Sequence, residues 1–241
     1  MSRISACGRN FLLAGLAACL ALAAGCSTPA FSDSSRTGSY FAPVNHAGDP
    51  VLPAGLRRVV LLPLAGGSVA PAASLAALDP VVAAALQRQN RFEVVVVSRE
   101  VCRRLFTVEE LSSVELLPAN FMAVLRREYA ADAVILVDVT VFRAYRPLAI
   151  GFRAKLATVQ DVRLVWTFDN LFSAADAAVA NSARRNYLKG APRDIPADQS
   201  PMVLQSPSRF AAYAAETMFA TLPPLAPETP VPADANAARR R

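Results

Sequence analysis

Few residues of this 241-residue chain are of types that do chemistry, and their spacing narrows the choice further. Cys26 stands in "ALAAGCSTPA", residues 21–30, where an apolar run meets a polar one. A thiol there has three readings: half of a disulfide, a reactive nucleophile, or the atom through which a cut chain is tied to lipid. The sole histidine, His46, assembles neither a metal ligand set nor a catalytic triad by itself. "AGGS", ending Gly66 to Ser68, lacks the Gly-Lys-Ser/Thr that completes a phosphate loop, and reads as a turn between strand and helix. No cofactor or metal is expected, and the chain reads as non-enzymatic. Asp138, Arg143, Arg153 and Lys155 fall on neighbouring predicted strands; they pair across the sheet, form a charged partner surface, or guard a solvated edge. Arg184/Arg185 and Arg239 to Arg241 are runs too short for a polybasic motif and read as solvated.

What must position these residues begins with export. Residues 11–24, "FLLAGLAACLALAA", are uncharged, follow Arg3 and Arg9, and precede small residues and a cysteine. That is the layout of a secretory signal, and the run is shorter than the ~20 residues that span a bilayer as a helix. Residues 1–25 are therefore read as removed. The net charge of +6 includes Arg3 and Arg9, so the mature chain is only mildly basic and nucleic-acid binding gains no support. A hydrophobic content of 54% with 18% charged residues is globular in character.

Cys26, preceded by Ala24, Gly25 and the aliphatic Leu22, resembles the cysteine of the bacterial lipobox, whose thiol is acylated. "LAAC", Leu16 to Cys19, is the competing match; a cut there leaves an apolar run of about eight residues before it, short for a signal. With Cys26 acylated, Cys102 in "SREVCRRLF" is the one thiol left and reads as a small core residue; with Cys26 free, a Cys26–Cys102 disulfide would suit the oxidising compartment. Ser27 follows the cysteine where, by resemblance to enterobacterial lipoproteins, Asp would favour the inner membrane, so the resemblance points to the outer membrane.

Residues 26–56 read as a tether, with Phe41 and Val44 as candidates to dock on the domain. "RRVVLLPL", 57–64, reads as a buried strand. Asp79 with Pro80 reads as the start of a helix ending near Asn90, before a second buried strand over 92–97. Ser98 reads as the cap of a short helix, Thr107 and Glu110 as a capping box, and Pro118 as the opening of a longer helix. Residues 131–145, 149–160 and 162–172 read as three antiparallel strands, the last two joined around Gln160–Asp161. Asp176 and Ser206–Pro207 introduce two more helices, and the Pro/Ala-rich residues 223–241 read as a disordered tail. The expected fold is α/β (α+β): a mixed sheet of about five strands with packed helices, a βαβ start and a three-strand antiparallel meander over 57–222.

These segments together resemble bacterial envelope lipoproteins related to the curli-assembly protein CsgG, the amino-terminal domain of TolB and LpoB-type activators of penicillin-binding proteins. Ala131, Asp132 and Ala133 match a pattern common before the third strand of such domains, and Trp166 matches another; Asp161–Val162 stand where a Gly-containing turn is usual. No hairpin here has the length of the curli exporter's barrel insertions. The resemblance implies a lipoprotein on the periplasmic face of the outer membrane, a non-enzymatic adaptor or assembly/regulatory factor binding another envelope protein. The alternative is an oligomeric secretion or scaffold component that binds itself.

Overall fold

The computed structural model describes residues 38–190 and 202–227. The expected signal peptide, Cys26, Cys19, Arg239 to Arg241 and the end of the tail lie outside the described residues. Along the chain run β1 (His46–Gly48), β2 (Arg58–Leu61), α1 (Ala72–Gln87), β3 (Glu93–Val96), α2 (Arg99–Phe106), α3 (Phe121–Tyr129), β4 (Ala133–Arg143), β5 (Ala149–Thr158), β6 (Leu164–Ser173), α4 (Ala177–Gly190) and α5 (Pro207–Phe219).

The strands form one six-stranded mixed sheet ordered β1-β6-β5-β4-β2-β3. β3, β2 and β4 are mutually parallel, and β4, β5, β6 and β1 are antiparallel. The expected βαβ start and meander are both present. On the parallel side β2 after Arg58 and the first half of β4 read "VVL" and "AVILV" without polar interruption, because both their faces are covered. Val59, Leu61, Ile135 and Val137 turn to a first face packed by α1 and α5. Val60, Leu62, Val134 and Leu136 turn to a second face, where Cys102, Phe106, Phe121 and Leu125 of α2 and α3 meet them.

The sixth strand comes from the residues read as tether. β1 pairs with β6, and Leu52 and Leu56 are buried. Phe41 docks edge-on to Phe172 at 5.2 Å, and its N–H donates to Ser182 Oγ at 2.8 Å. Val44, in contrast, is exposed. At the other end of the chain, Leu225 bridges Leu52, although the tail reading began at 223.

Three local expectations are corrected. α1 begins at Ala72 and runs through Pro80, so Asp79 caps nothing: its carboxylate accepts the Leu64 N–H at 2.9 Å and binds Arg99. Thr107 is the left-handed residue that ends α2, and Glu110 lies in the following loop, so their capping-box spacing starts no helix. β3 is an edge strand with Glu93 and Val96 exposed, since among the described residues nothing pairs beyond it. The caps at Ser98, Asp176 and Ser206 are in place, accepting from the N–H groups of Val101, of Ala178 and Val179, and of Arg209.

A candidate interaction face on the open half of the sheet

Strand alternation sends Arg153 and Lys155 of β5, and Thr167, Asp169 and Leu171 of β6, to the second face, while their neighbours Phe152, Ala154, Leu156, Trp166, Phe168 and Phe172 are buried on the first. α2 and α3 cover β2 and β4 on that second face; Arg153, Thr167, Asp169 and Leu171 keep contact with solvent. The result is a sheet face, open over β5, β6 and β1, that carries ordered charge.

Register lines up Asp138, Arg153 and Asp169 across β4, β5 and β6. Arg153 Nε donates to Asp169 Oδ2 at 2.8 Å. Asp138 is buried and accepts from both the N–H (3.0 Å) and the hydroxyl of Ser113, in the loop between α2 and α3. In the next row, Lys155 Nζ donates to the Ser113 carbonyl at 2.6 Å. A buried carboxylate and a lysine from central strands thus fix one loop residue, which satisfies the charges and sets the border of the open face.

The sequence-predicted set is therefore divided. Asp138, Arg153 and Lys155 come together on central strands, not at a sheet edge; Arg143 is exposed at the far end of β4. Asp169 and Ser113 were missed. Asp169 was detectable as the alternating polar position in "VWTFDNLF", whereas Ser113 had no local signal.

The other candidates have occupied or inert settings. Gly67 takes a positive φ of 49° in the loop between β2 and α1. The N–H groups of Gly66 and Gly67 both donate to Glu110 Oε1, at 3.1 and 3.3 Å. The chain's own carboxylate fills the nest that a phosphate loop would offer an anion. Arg99 donates to Glu110 Oε2 at 2.6 Å, to Asp79 at 2.7 Å and to the Leu64 carbonyl at 2.7 Å. Burial pushes the Glu110 carboxyl up, but the bonds from Arg99, Gly66 and Gly67 outweigh it and hold the group below its ordinary value. Burial likewise lowers the Arg99 guanidinium, and its bonds to Asp79 and Glu110 outweigh that too, leaving it raised.

Cys102 is a free, fully buried thiol pushed by burial up to about 11, which leaves it protonated and unreactive at neutral pH. His46 lies on exposed β1, and no three His, Cys, Asp or Glu side chains form a metal-type group among the described residues. A groove of about 600 Å³ at the β2 and β4 start is lined by Pro53, Leu56, Arg126, Asp132 and Asp161. Asp132 there accepts the Arg57 and Arg58 N–H groups at 3.0 and 2.8 Å, so it orders the start of β2. Arg185, read as solvated, lies over the Tyr40 ring at 4.5 Å.

No family model matches the sequence, and no curated protein does. Among solved structures, the chain is similar to the PelC dodecamer from Paraburkholderia phytofirmans (14% identity, 72% of this chain and 94% of that one, TM-score 0.39). It is similar to the lipoprotein GNA1162 from Neisseria meningitidis (16% identity, 48% and 79% covered, TM-score 0.32). The LpoB C-terminal domain from Salmonella enterica is a further match (16% identity, 52% and 86% covered, TM-score 0.34). The matched structures thus include a lipoprotein and the LpoB domain. At these scores function has to be argued from the chain's own geometry.

Proposed function

We propose that this chain is an outer-membrane lipoprotein, acylated at Cys26 and facing the periplasm, that acts without catalysis as a docking module for another envelope protein. The observation that carries the docking reading is the open half of the second sheet face, with its fixed Asp138–Arg153–Asp169 row. Charges held in place before binding lose little freedom when a partner arrives, and they select orientation. The anchoring reading rests on the residues around Cys26, and the non-enzymatic reading on the single histidine of the sequence.

Two experiments test the reading separately. Labelled palmitate should enter the wild-type and Cys19→Ser chains and not Cys26→Ser; label retained in Cys26→Ser contradicts the anchor. A photo-reactive residue at Thr167 should give one discrete adduct in intact cells, lost when Arg153→Glu is added; no adduct, or one indifferent to Arg153, contradicts the docking face.

Self-association is the second reading, and the β3 edge favours it. The N–H groups of Glu93 and Val97 bond back to Arg57 and Leu61, which turns those of Val94 and Val96 away from β2. Such an edge accepts another strand. Light scattering on the detergent-solubilised chain should then show an oligomer that Val96→Pro dissolves, and a monomer at high concentration excludes this reading.

A further inference from the structure

The β4–β5 hairpin, residues 144–148, projects from one end of the sheet with Arg143, Tyr145 and Arg146 exposed, and Tyr145 is 83% accessible. The guanidinium groups of Arg143 and Arg146 have no hydrogen-bond or ion-pair partner among the described residues. Two unpaired guanidinium groups beside an accessible phenol match the chemistry of an anionic lipid interface, where cations meet headgroup phosphates and an amphipathic ring lies at the boundary.

A second observation places residues 38–41, where the described chain begins, toward the same end. Arg143 pairs with Ala149, and Ala149 with Ser173, so the hairpin base and the end of β6 form one row. One residue inward, Ile150 pairs with Phe172, against which Phe41 packs at 5.2 Å. Phe172, on which Phe41 packs, therefore stands on the strand next to β5, one residue from the row of the hairpin base. The Ser39 carbonyl accepts from Asn181, and Tyr40 lies under Arg185, so a second basic–aromatic pair flanks that entry. Residues 27–37 separate Cys26 from the first described residue, and even fully extended they reach at most about 40 Å.

We infer that the 143–146 hairpin tip is a lipid-contact surface that turns this end of the sheet toward an anionic membrane and leaves the open face lateral and accessible. The inference rests on the anchoring reading at Cys26. Two carboxylates lie toward this end and subtract from its charge without pairing with either arginine: Asp176 accepts the Ala178 N–H as a helix cap, and Glu115 lines a groove with Val139 and Thr140.

The test uses the lipidated chain purified from membranes and reconstituted into vesicles of phosphatidylethanolamine and phosphatidylglycerol at about 3:1, the anionic surface whose pull on basic residues is at issue. A bimane dye is attached in Tyr145→Cys and, as the control at the opposite end of the sheet, in Val162→Cys. Headgroup spin-labelled lipid should quench the dye at position 145 several-fold more than at 162. That difference should be lost when Arg143→Glu and Arg146→Glu are added, and likewise in about 0.5 M salt or with phosphatidylcholine replacing phosphatidylglycerol. Equal quenching at both positions, or quenching indifferent to charge, overturns the inference. So does a dye at 145 shielded from water without lipid quenching, as a second copy or a protein partner would give. If palmitate labelling shows Cys26 unacylated, the same labelled chains mixed with the same vesicles read the surface directly, so failure of the anchor and failure of the patch are told apart.

Discussion

The two halves of the sheet use the same backbone for opposite ends. On the parallel half, β2 and β4 are sandwiched between α1 on one face and α2 and α3 on the other, and they run apolar over 59–61 and 133–137. On the antiparallel half, α4 and α5 cover the first face alone, and β5 and β6 alternate buried Phe152, Trp166 and Phe168 with Arg153, Thr167 and Asp169. Among the described residues, β2 and the first half of β4 keep little side-chain surface for a partner, because helices pack on both their faces. The least exposed ion-pair cluster of this half, Arg99 with Asp79 and Glu110, is closed upon itself. The proposed docking function falls on the half with one covered face, while stability comes from both.

The contrast breaks most visibly in the shared core. Phe168→Ala removes a ring buried between Trp166 and Phe172 and is expected to cost about 3–5 kcal/mol, read as a lowered urea midpoint. Arg153→Ala, one strand away on the open face, should leave that midpoint almost unchanged.

Opening the closed cluster comes next. Arg99→Ala leaves the partly buried Asp79 and Glu110 carboxylates without their cation and is expected to cost about 2–3 kcal/mol. The same cluster sets an acid limit. The folded Glu110 carboxyl lies below its ordinary 4.5, so its contribution is complete above that value and is lost as pH falls through the folded one. Urea midpoints measured from pH 7 down to pH 3 should fall less steeply in Glu110→Gln than in the wild type.

A smaller effect sharpens the comparison on the antiparallel side. Val162, in the β5–β6 turn, has φ of 53° and is largely exposed, a left-handed conformation that β-branched residues rarely adopt. Val162→Gly should stabilise by about 0.5–1 kcal/mol after the added freedom of the unfolded chain is subtracted, seen as a raised melting temperature. Last is Arg153→Ala itself: its ion pair with Asp169 is part-exposed and is worth under about 1 kcal/mol, so whatever this substitution does to partner binding is not an unfolding effect.

Much of this division was legible in the sequence, for reasons particular residues make plain. The apolar run in 57–64 read as a buried strand, and the β-branched content of 131–145 as a long one; the pattern of "GFRAKLAT", with Arg153 and Lys155 between apolar neighbours, is that of a strand covered on a single face. Ser98, Asp176 and Ser206 were readable as caps because a cap is a local bond. Asp79 and Glu110 carry the same local signals, but tertiary partners, the Leu64 N–H, Arg99 and the Gly66–Gly67 nest, took their carboxylates instead. β1 was hidden because three exposed residues, "HAG", have no strand pattern of their own and pair only once β6 exists. The same holds for the candidate site: Asp138, Arg153 and Lys155 were visible as strand charges, while the loop residue bound by two of them, Ser113, was not.

The most direct test of the docking claim is photo-cross-linking in intact cells from paired positions, Thr167 on the open antiparallel face and the exposed Arg104 on α2, which covers the parallel half. A discrete protein adduct from Thr167, absent from Arg104 and abolished by Arg153→Glu while the urea midpoint holds, is the predicted result. Adducts of equal yield from both positions, or none from Thr167, would contradict the assignment of function to the open half of the sheet.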